Sequence, residues 1–221
     1  MADIHARGDV SEAAVSSGAS RRRDPPDQRL ARAIIRPLVR TRVTPNHLTT
    51  VRLALGLGAC AAYATGGVHW FMIGSVLFLL STLMDHADGE LARLSGKTSG
   101  IGHVYDLFVD ITVQVLLFVA IGVGLMNAGH GTIMLVLGLI AGGSISALFM
   151  VCQTLESRIG GKQAGLPRPG GFDMEDALYL VAPITWIGWL QFLLIAAAVA
   201  APLFLLWLLW HHRRVIFARA V

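Results

Sequence analysis

Apolar and polar positions divide the chain into a polar N-terminal segment, six long apolar segments and short polar connections. A membrane-spanning helix needs about 20 mostly apolar residues, because the hydrocarbon core is roughly 30 Å thick and each residue rises about 1.5 Å. Six segments reach or approach this length, and the fifth is the shortest. They are residues 46–66, 68–92, 103–127, 131–157, 174–187 and 190–211. We predict an all-α membrane protein with six transmembrane helices.

Composition supports placement in a bilayer. Apolar residues make up 54% of the chain and charged residues 14%, whereas charged residues make up about 25% of soluble domains. Between His103 and Cys152, the only charged side chains are Asp106 and Asp110. Segments of this kind need lipid or other protein around them.

Basic residues occur in the terminal segments and in every second connection between the predicted spans. Ten Lys and Arg residues occur up to Arg52, two in the connection 93–97, three in the connection 158–168 and three after residue 212. The other connections, TGGVH, NAGHG and WIGW, contain none. Because Lys and Arg are retained on the cytoplasmic side, we predict cytoplasmic termini and a bacterial inner-membrane location. No nucleic-acid partner is expected.

The same patterns predict four regions. Residues 1–26 are polar, lack the apolar core of a signal peptide, and are expected to form a disordered cytoplasmic tail. Residues 27–43 alternate apolar and basic positions, as an interfacial amphipathic helix does. Residues 44–212 form the six-span domain, and residues 213–221 form a basic cytoplasmic C-terminus.

Two local patterns predict details of the helices. Thr44 followed by Pro45 indicates a helix start, with threonine as the N-cap and proline at the first helical position. Gly122 and Gly124 are interpreted as a helix-packing surface rather than a nucleotide-binding fingerprint.

Four aspartates lie near the cytoplasmic ends of the second and third spans. Asp85 and Asp88 are three residues apart, and Asp106 and Asp110 are four apart, so each pair shares one helical face. Residues 94–101 contain glycine and serine and are suited to a turn between antiparallel helices. The four carboxylates are therefore predicted to converge just inside the membrane.

Desolvating even one ion costs several kcal/mol, so the sequence predicts a bound cation among these carboxylates. Oxygen ligands without histidine or cysteine at zinc spacing favour Mg²⁺ or Mn²⁺. Gly89 and Ala92 leave the neighbouring backbone accessible to a ligand, and Arg93 offers a charge for a phosphate. A single intramembrane aspartate also fits a proton relay, so a cation- or proton-coupled transporter remains an alternative.

The acidic motif resembles the signature of the CDP-alcohol phosphotransferase family of integral membrane enzymes. Its positions are Asp85, Asp88, Gly89, Ala92, Arg93, Gly102, Asp106 and Asp110. The stretch TPNHLTTVR resembles the beginning of that family's first helix, and the resemblance covers about residues 40–212.

The resemblance implies that a CDP-linked donor, usually CDP-diacylglycerol, gives a substituted phosphoryl group to an alcohol and releases CMP. It implies metal binding by the four aspartates, with two divalent ions expected, and Asp110 as the general base. It also implies a CDP site formed by Gly89, Ala92, Arg93 and Gly102, with Asn46 and Thr49 near the nucleotide. Family members are commonly homodimers.

The acceptor alcohol is less well defined by the sequence. Arg158, at the end of the fourth span, is the candidate for binding the phosphate of an acceptor such as inositol phosphate or glycerol 3-phosphate. The neighbouring Lys162 and Arg168 are equally consistent with ordinary positive charges of a cytoplasmic loop.

Overall fold

A computed structural model of the chain describes residues 44–95, 100–159 and 178–213. Within these ranges the secondary structure is helical and includes no strand. The helices are α1 (Pro45–Thr65), α2 (Val68–Ser95), α3 (Gly100–Leu125), α4 (Ile133–Ile159), α5 (Val181–Trp186) and α6 (Leu190–His211), with a π-helical turn (Met126–His130) after α3. The predicted all-α class is therefore confirmed for the described residues.

Five of these helices, α1 to α4 and α6, are long and apolar enough to cross a membrane. They correspond to five of the six predicted spans. The fifth predicted span, 174–187, falls partly on residues 160–177, which lie outside the described residues. The six-span count therefore stays a prediction, as do the tail and the interfacial helix predicted before Thr44.

The start of α1 follows the predicted pattern. Thr44 is the N-cap in an extended conformation, and Pro45 is the first helical residue. The backbone N–H of Thr44 donates to Nδ1 of His47 at 3.2 Å. Proline suits this position because its missing N–H would have no partner inside the helix.

A glycine turn places α1 and α2 side by side. Gly66 and Gly67 connect the two helices with φ values of 80° and 90°, a region in which residues with a Cβ atom are strained. The helices then run antiparallel, and the Ser81 hydroxyl donates to the backbone carbonyl of Arg52 at 2.9 Å. This pairing brings the N-terminal half of α1 beside the acidic end of α2.

Close contacts through small residues join α3 and α4. A Cβ atom on Gly122 would lie 2.5 Å from the carbonyl oxygen of Met134, and one on Gly138 would lie 2.6 Å from that of Phe118. These pairs fix an antiparallel arrangement, with backbones closer than larger side chains allow. The packing role predicted for Gly122 is confirmed, and Gly124 makes a similar approach to α1.

The C-terminal halves of α4 and α6 pack together. Leu148 and Leu155 of α4 form one buried cluster with Leu208 of α6. Both helices therefore run in the same direction.

The described residues shortly before α6 lie along α2. The Tyr179 hydroxyl is 3.0 Å from Nδ1 of His86, and Nε1 of Trp186 donates to Oγ of Ser75 at 2.8 Å. Residues 178–186 thus run antiparallel to α2, from its acidic half toward its opposite end.

Candidate active site

The predicted acidic positions meet at one end of α2 and α3. Asp85, Asp88 and Asp106 each present one carboxylate oxygen, and these three oxygens lie within 4.8 Å of one another. Asp110 lies one helical turn further into α3 than Asp106 and does not belong to this set. Helical spacing thus brings the two pairs together as predicted, with Asp110 at a deeper level.

The three oxygens fit a divalent cation. Mg²⁺ binds oxygen at about 2.0–2.1 Å, so two oxygens on opposite sides of the ion are roughly 4.2 Å apart. The observed separations need only small side-chain adjustments to reach that geometry. An all-oxygen set with carboxylates favours Mg²⁺ or Mn²⁺ over softer metals.

A cation of the chain itself lies among these carboxylates. Nη1 of Arg52 is 2.5 Å from Oδ1 of Asp85 and 3.2 Å from Oδ1 of Asp106. Nη2 of the same guanidinium forms an ion pair with Oδ1 of Asp110. The sequence analysis predicted a bound cation among the four carboxylates and did not anticipate that Arg52 neutralises part of their charge.

Arg52 also changes the count of cytoplasmic basic residues. It was counted with the N-terminal segment, yet it lies inside α1 and only 6% of its surface is exposed. A buried guanidinium needs hydrogen-bonded partners to offset its lost hydration. The three aspartates supply those partners.

Asp88 is held by a hydroxyl rather than by Arg52. The buried Thr49 hydroxyl lies 2.9 Å from Oδ2 of Asp88 and is oriented to donate to it. Thr49 was expected to lie near the nucleotide, and the structure places it against the acidic cluster. Asn46, one turn earlier, is exposed at the beginning of α1.

The remaining motif positions lie near the ends of α2 and α3 that carry the cluster. Gly89 is exposed, and a Cβ atom added there would meet nothing within 4 Å. Ala92 is half-buried one turn further along α2, and Gly102 is half-buried one turn before Asp106. Arg93 belongs to α2, but its side chain lies outside the described part of the chain. Gly89 therefore leaves room beside Asp88 for a ligand.

A pocket adjoins the cluster. It is lined by Arg52, Phe78, Ser81, Thr82, Asp85, Asp110, Val113, Gln114 and Leu178. Gln114 is 5% exposed, and its Oε1 atom has no hydrogen-bond partner among the described residues. A buried acceptor without a partner is costly, so this atom marks a place where a ligand can donate a hydrogen bond.

Arg158 lies exposed on the last turn of α4. Because α4 runs antiparallel to α3, Arg158 is on the same side of the membrane as the start of α3. The described ion pairs of the acidic cluster come from α1, α2 and α3, so the acceptor-binding role of Arg158 stays a prediction.

Two residues of the site were missed in the sequence analysis. Arg52 follows Thr49 by three residues on α1, and a charge inside an apolar helix is itself a functional signal. Gln114 follows Asp110 by four residues and therefore continues the face formed by Gly102, Asp106 and Asp110. The helical-face analysis, extended by one turn, would have found Gln114, whereas the sequence could only have marked Arg52 as a candidate.

The fold and site define an all-helical integral membrane protein with a carboxylate cluster suited to a divalent cation at one end of its helices. Residues 42–215 match the family described as CDP-alcohol phosphatidyltransferase. The chain belongs to the CDP-alcohol phosphatidyltransferase family.

The chain is similar in sequence to proteins from two organisms. The inner membrane protein YnjF of Escherichia coli is 33% identical over 94 residues, which are 42% of this chain and 42% of that protein. The bifunctional IPC transferase and DIPP synthase of Thermococcus kodakarensis is 33% identical over 69 residues, which are 31% of this chain and 15% of that protein. The matched regions thus span less than half the length of either relative.

Proposed function

We propose that this protein transfers a phosphatidyl group from CDP-diacylglycerol to the hydroxyl of a small polar alcohol, releasing CMP, in phospholipid biosynthesis. The observation that carries the proposal is the meeting of the Asp85, Asp88 and Asp106 carboxylates, with Asp110 one turn deeper. Family membership supports the reaction class, and the Thermococcus relative is named as a transferase and synthase.

Asp85, Asp88 and Asp106 are proposed to hold Mg²⁺ or Mn²⁺ as the cofactor. When bound, such an ion neutralises charge on the diphosphate and on the departing CMP. The resemblance described above leads us to propose two ions.

Asp110 is proposed as the general base. The alcohol oxygen forms a bond to the phosphorus of the phosphatidyl group, the bond from that phosphorus to the CMP oxygen breaks, and the hydroxyl proton passes to the Asp110 carboxylate. Its ion pair with Arg52 occupies Oδ1 and fixes the orientation of the carboxylate. Oδ2 is then the atom proposed to take the proton.

The CDP group is proposed to bind on the cytoplasmic side of the cluster. The open space at Gly89 allows the diphosphate to approach the α2 backbone beside Asp88. Ala92, Arg93, Gly102, Asn46 and Thr49 complete the proposed nucleotide site. Its position at the helix ends allows cytidine to remain in water while the lipid tails stay in the bilayer.

The acceptor alcohol is proposed to reach Asp110 through the pocket that Gln114 lines. Oε1 of Gln114 would accept a hydrogen bond from a second hydroxyl or an ammonium group of the alcohol. Arg158 is proposed to bind a phosphate carried by the acceptor, such as inositol phosphate or glycerol 3-phosphate.

The proposed enzyme crosses the membrane six times and has both termini in the cytoplasm. The shared direction of α4 and α6 supports a sixth crossing between them, because an odd number of crossings must separate two parallel spans. We also propose that the chain has the four regions predicted from its sequence and that it forms a homodimer.

A transporter is less well supported. Between Arg52 and Asp85 the chain has no Asp, Glu, Lys or Arg, and the same holds for residues 111–155. An ion pathway across the bilayer needs polar groups that continue past the cluster.

The test is an assay of the purified full chain with radiolabelled CDP-diacylglycerol and Mg²⁺. Each reaction contains one acceptor: inositol phosphate, glycerol 3-phosphate, serine, inositol or choline. We expect CMP and one phospholipid product, formed with one acceptor and lost in EDTA. Lack of CMP release with every acceptor, together with substrate-dependent ion flux in proteoliposomes, would favour the transporter.

A further inference from the structure

We propose that Leu178 limits the size of the acceptor alcohol, and that Tyr179 and His86 hold it in place as positioning residues. This inference rests on the proposed function, because it concerns the pocket through which the acceptor would reach Asp110. The motif positions lie on α1 to α3, so none of them assigns a role to the part of the chain that contains Leu178.

The walls of the pocket come from two parts of the chain. Among the described residues that line it, eight belong to α1, α2 and α3, and the ninth is Leu178. Leu178 begins a short 3₁₀ turn, residues 178–180, which leads into α5. The first three helices also carry the acidic cluster. A change at Leu178 therefore alters the shape of the pocket without removing a group from that cluster.

Leu178 belongs to the apolar lining of the pocket, together with Phe78 and Val113. Phe78 is 3% exposed and Val113 is 4% exposed, so both are fixed in the packed core, where side chains have little room to move. Leu178 is half-buried and packs against the same core. An acceptor can therefore gain space beside the apolar lining where Leu178 is shortened or displaced.

The polar lining away from the acidic cluster consists of hydrogen-bond acceptors. Oγ of Ser81 and Oγ1 of Thr82 donate to backbone carbonyl oxygens at 2.9 and 3.0 Å, so the lone pairs of both atoms remain available to a ligand. Oε1 of Gln114 is an acceptor as well. An acceptor alcohol that donates to these oxygens leaves its carbon skeleton to contact the apolar lining that includes Leu178.

Tyr179 anchors the 3₁₀ turn to α2. Its hydroxyl lies 3.0 Å from Nδ1 of His86 and 3.5 Å from the backbone carbonyl oxygen of Thr82, and the centroids of the two rings are 5.5 Å apart. The hydroxyl therefore has an acceptor on α2 in either histidine tautomer, since it can donate to Nδ1 in one and to the carbonyl in the other. Because Tyr179 directly follows Leu178, these contacts fix where Leu178 meets the pocket.

Acceptor discrimination by the purified full chain tests this inference. The probes are the acceptor preferred in the assay above and derivatives of it that carry one extra methyl group at successive positions. We expect wild type to use at least one derivative with a kcat/KM about 10–200-fold lower, since a pocket discriminates one methylene by about that factor. Leu178→Ala should reduce this ratio by at least about 10-fold. Leu180→Ala, at an exposed position of the same turn, should leave it unchanged.

The positioning role has its own readout. Tyr179→Phe and His86→Phe each keep a ring and remove one partner of the hydrogen bond. Each should raise the KM for the acceptor by about 2–10-fold, as expected for one hydrogen bond, and leave the KM for the CDP-linked donor unchanged. The double variant should be no worse than either single variant, because both changes remove the same contact. A lower melting temperature with an unchanged acceptor KM would contradict the positioning role.

Leu178→Val removes one carbon atom and replaces Leu178→Ala if that variant does not fold. It should change the ratio in the same direction by a smaller factor. An unchanged ratio in the folded variant, or a wild type that uses every derivative equally well, would overturn the inference, while CMP release leaves the proposed transferase function standing. No CMP release by wild type with any acceptor would contradict the proposed function and this inference with it.

Discussion

The two ends of α1, α2 and α3 are held together by different interactions. At the end away from the aspartates, Gly74 packs against the ring of Tyr63 and Gly124 against the Tyr63 backbone. The Tyr63 hydroxyl also lies 3.0 Å from Oγ1 of Thr185. At the acidic end, ion pairs from Arg52 join the same three helices, and Gly89 faces open space.

The two ends therefore suit different roles, since one end anchors the helices and the other leaves room for a ligand. Backbone contacts through glycine leave no space and fix how the helices cross. At the other end, ion pairs fix the positions of the charged side chains, and space for a ligand remains beside them. The packed end therefore acts as the support that keeps carboxylates from two helices within ligand distance.

The largest effect is expected at the acidic end. Asp110→Asn removes the proposed proton acceptor, and general-base groups contribute about 10²–10⁴-fold to rate. The rate of CMP release should fall by that factor, while thermal stabilisation by CDP-diacylglycerol with Mg²⁺ remains. Activity within a few-fold of wild type would show that another group takes the proton.

A bulky residue at the packed end should lower stability instead. Gly122→Leu places a side chain against the α4 backbone, and overpacking costs about 1–3 kcal/mol. Thermal unfolding in detergent should show a clear loss relative to Gly143→Leu, because a Cβ atom at exposed Gly143 meets nothing within 4 Å. Equal melting temperatures for the two variants would refute the packing account of this end.

A smaller effect is expected deeper in the acidic half. Gln114→Leu removes a buried acceptor without a partner, so the folded protein should lose little or no stability. The KM for the acceptor should rise by about 2–10-fold, which corresponds to one hydrogen bond of roughly 0.5–1.5 kcal/mol. Gln153→Leu, on an exposed position of α4, is the matched control. An unchanged acceptor KM would exclude Gln114 from the acceptor site.

The smallest effect on stability is expected at Gly89. Gly89→Ala adds a methyl group in open space, so the free energy of unfolding should stay within about 0.5 kcal/mol of wild type. Gly122→Ala should be less stable, because its methyl group would meet the Met134 carbonyl. The KM for the CDP-linked donor should rise in Gly89→Ala alone. If Gly89→Ala unfolds at a lower temperature than Gly122→Ala, the contrast between the two ends is wrong.

Much of the fold follows from apolar segment length. The first span was predicted at 46–66 and α1 occupies Pro45–Thr65, because Thr44 and Pro45 define a local helix start. The third span was predicted to begin at residue 103, and α3 begins at Gly100. Hydropathy alone cannot place the described residues before α6, which are positioned by contacts of Tyr179 and Trp186 with α2.

The candidate site could be predicted only in part. Spacing within one helix placed each aspartate pair on a face, and it correctly brought α2 and α3 together. The position of Arg52 depends on how α1 pairs with α2 across the Gly66 turn, which no pattern within one helix reveals. Charge counting grouped Arg52 with the basic N-terminal segment, whereas burial and three carboxylate partners assign it to the site.

The most direct test compares CMP release from CDP-diacylglycerol by Asp88→Asn and Glu156→Gln, each with Mg²⁺ and the preferred acceptor. Both changes remove a carboxylate from the same side of the protein, but only Asp88 belongs to the cluster. We predict a loss of at least about 100-fold for Asp88→Asn and a rate near wild type for Glu156→Gln. Equal rates for the two variants would contradict the assignment of the aspartate cluster as the active site.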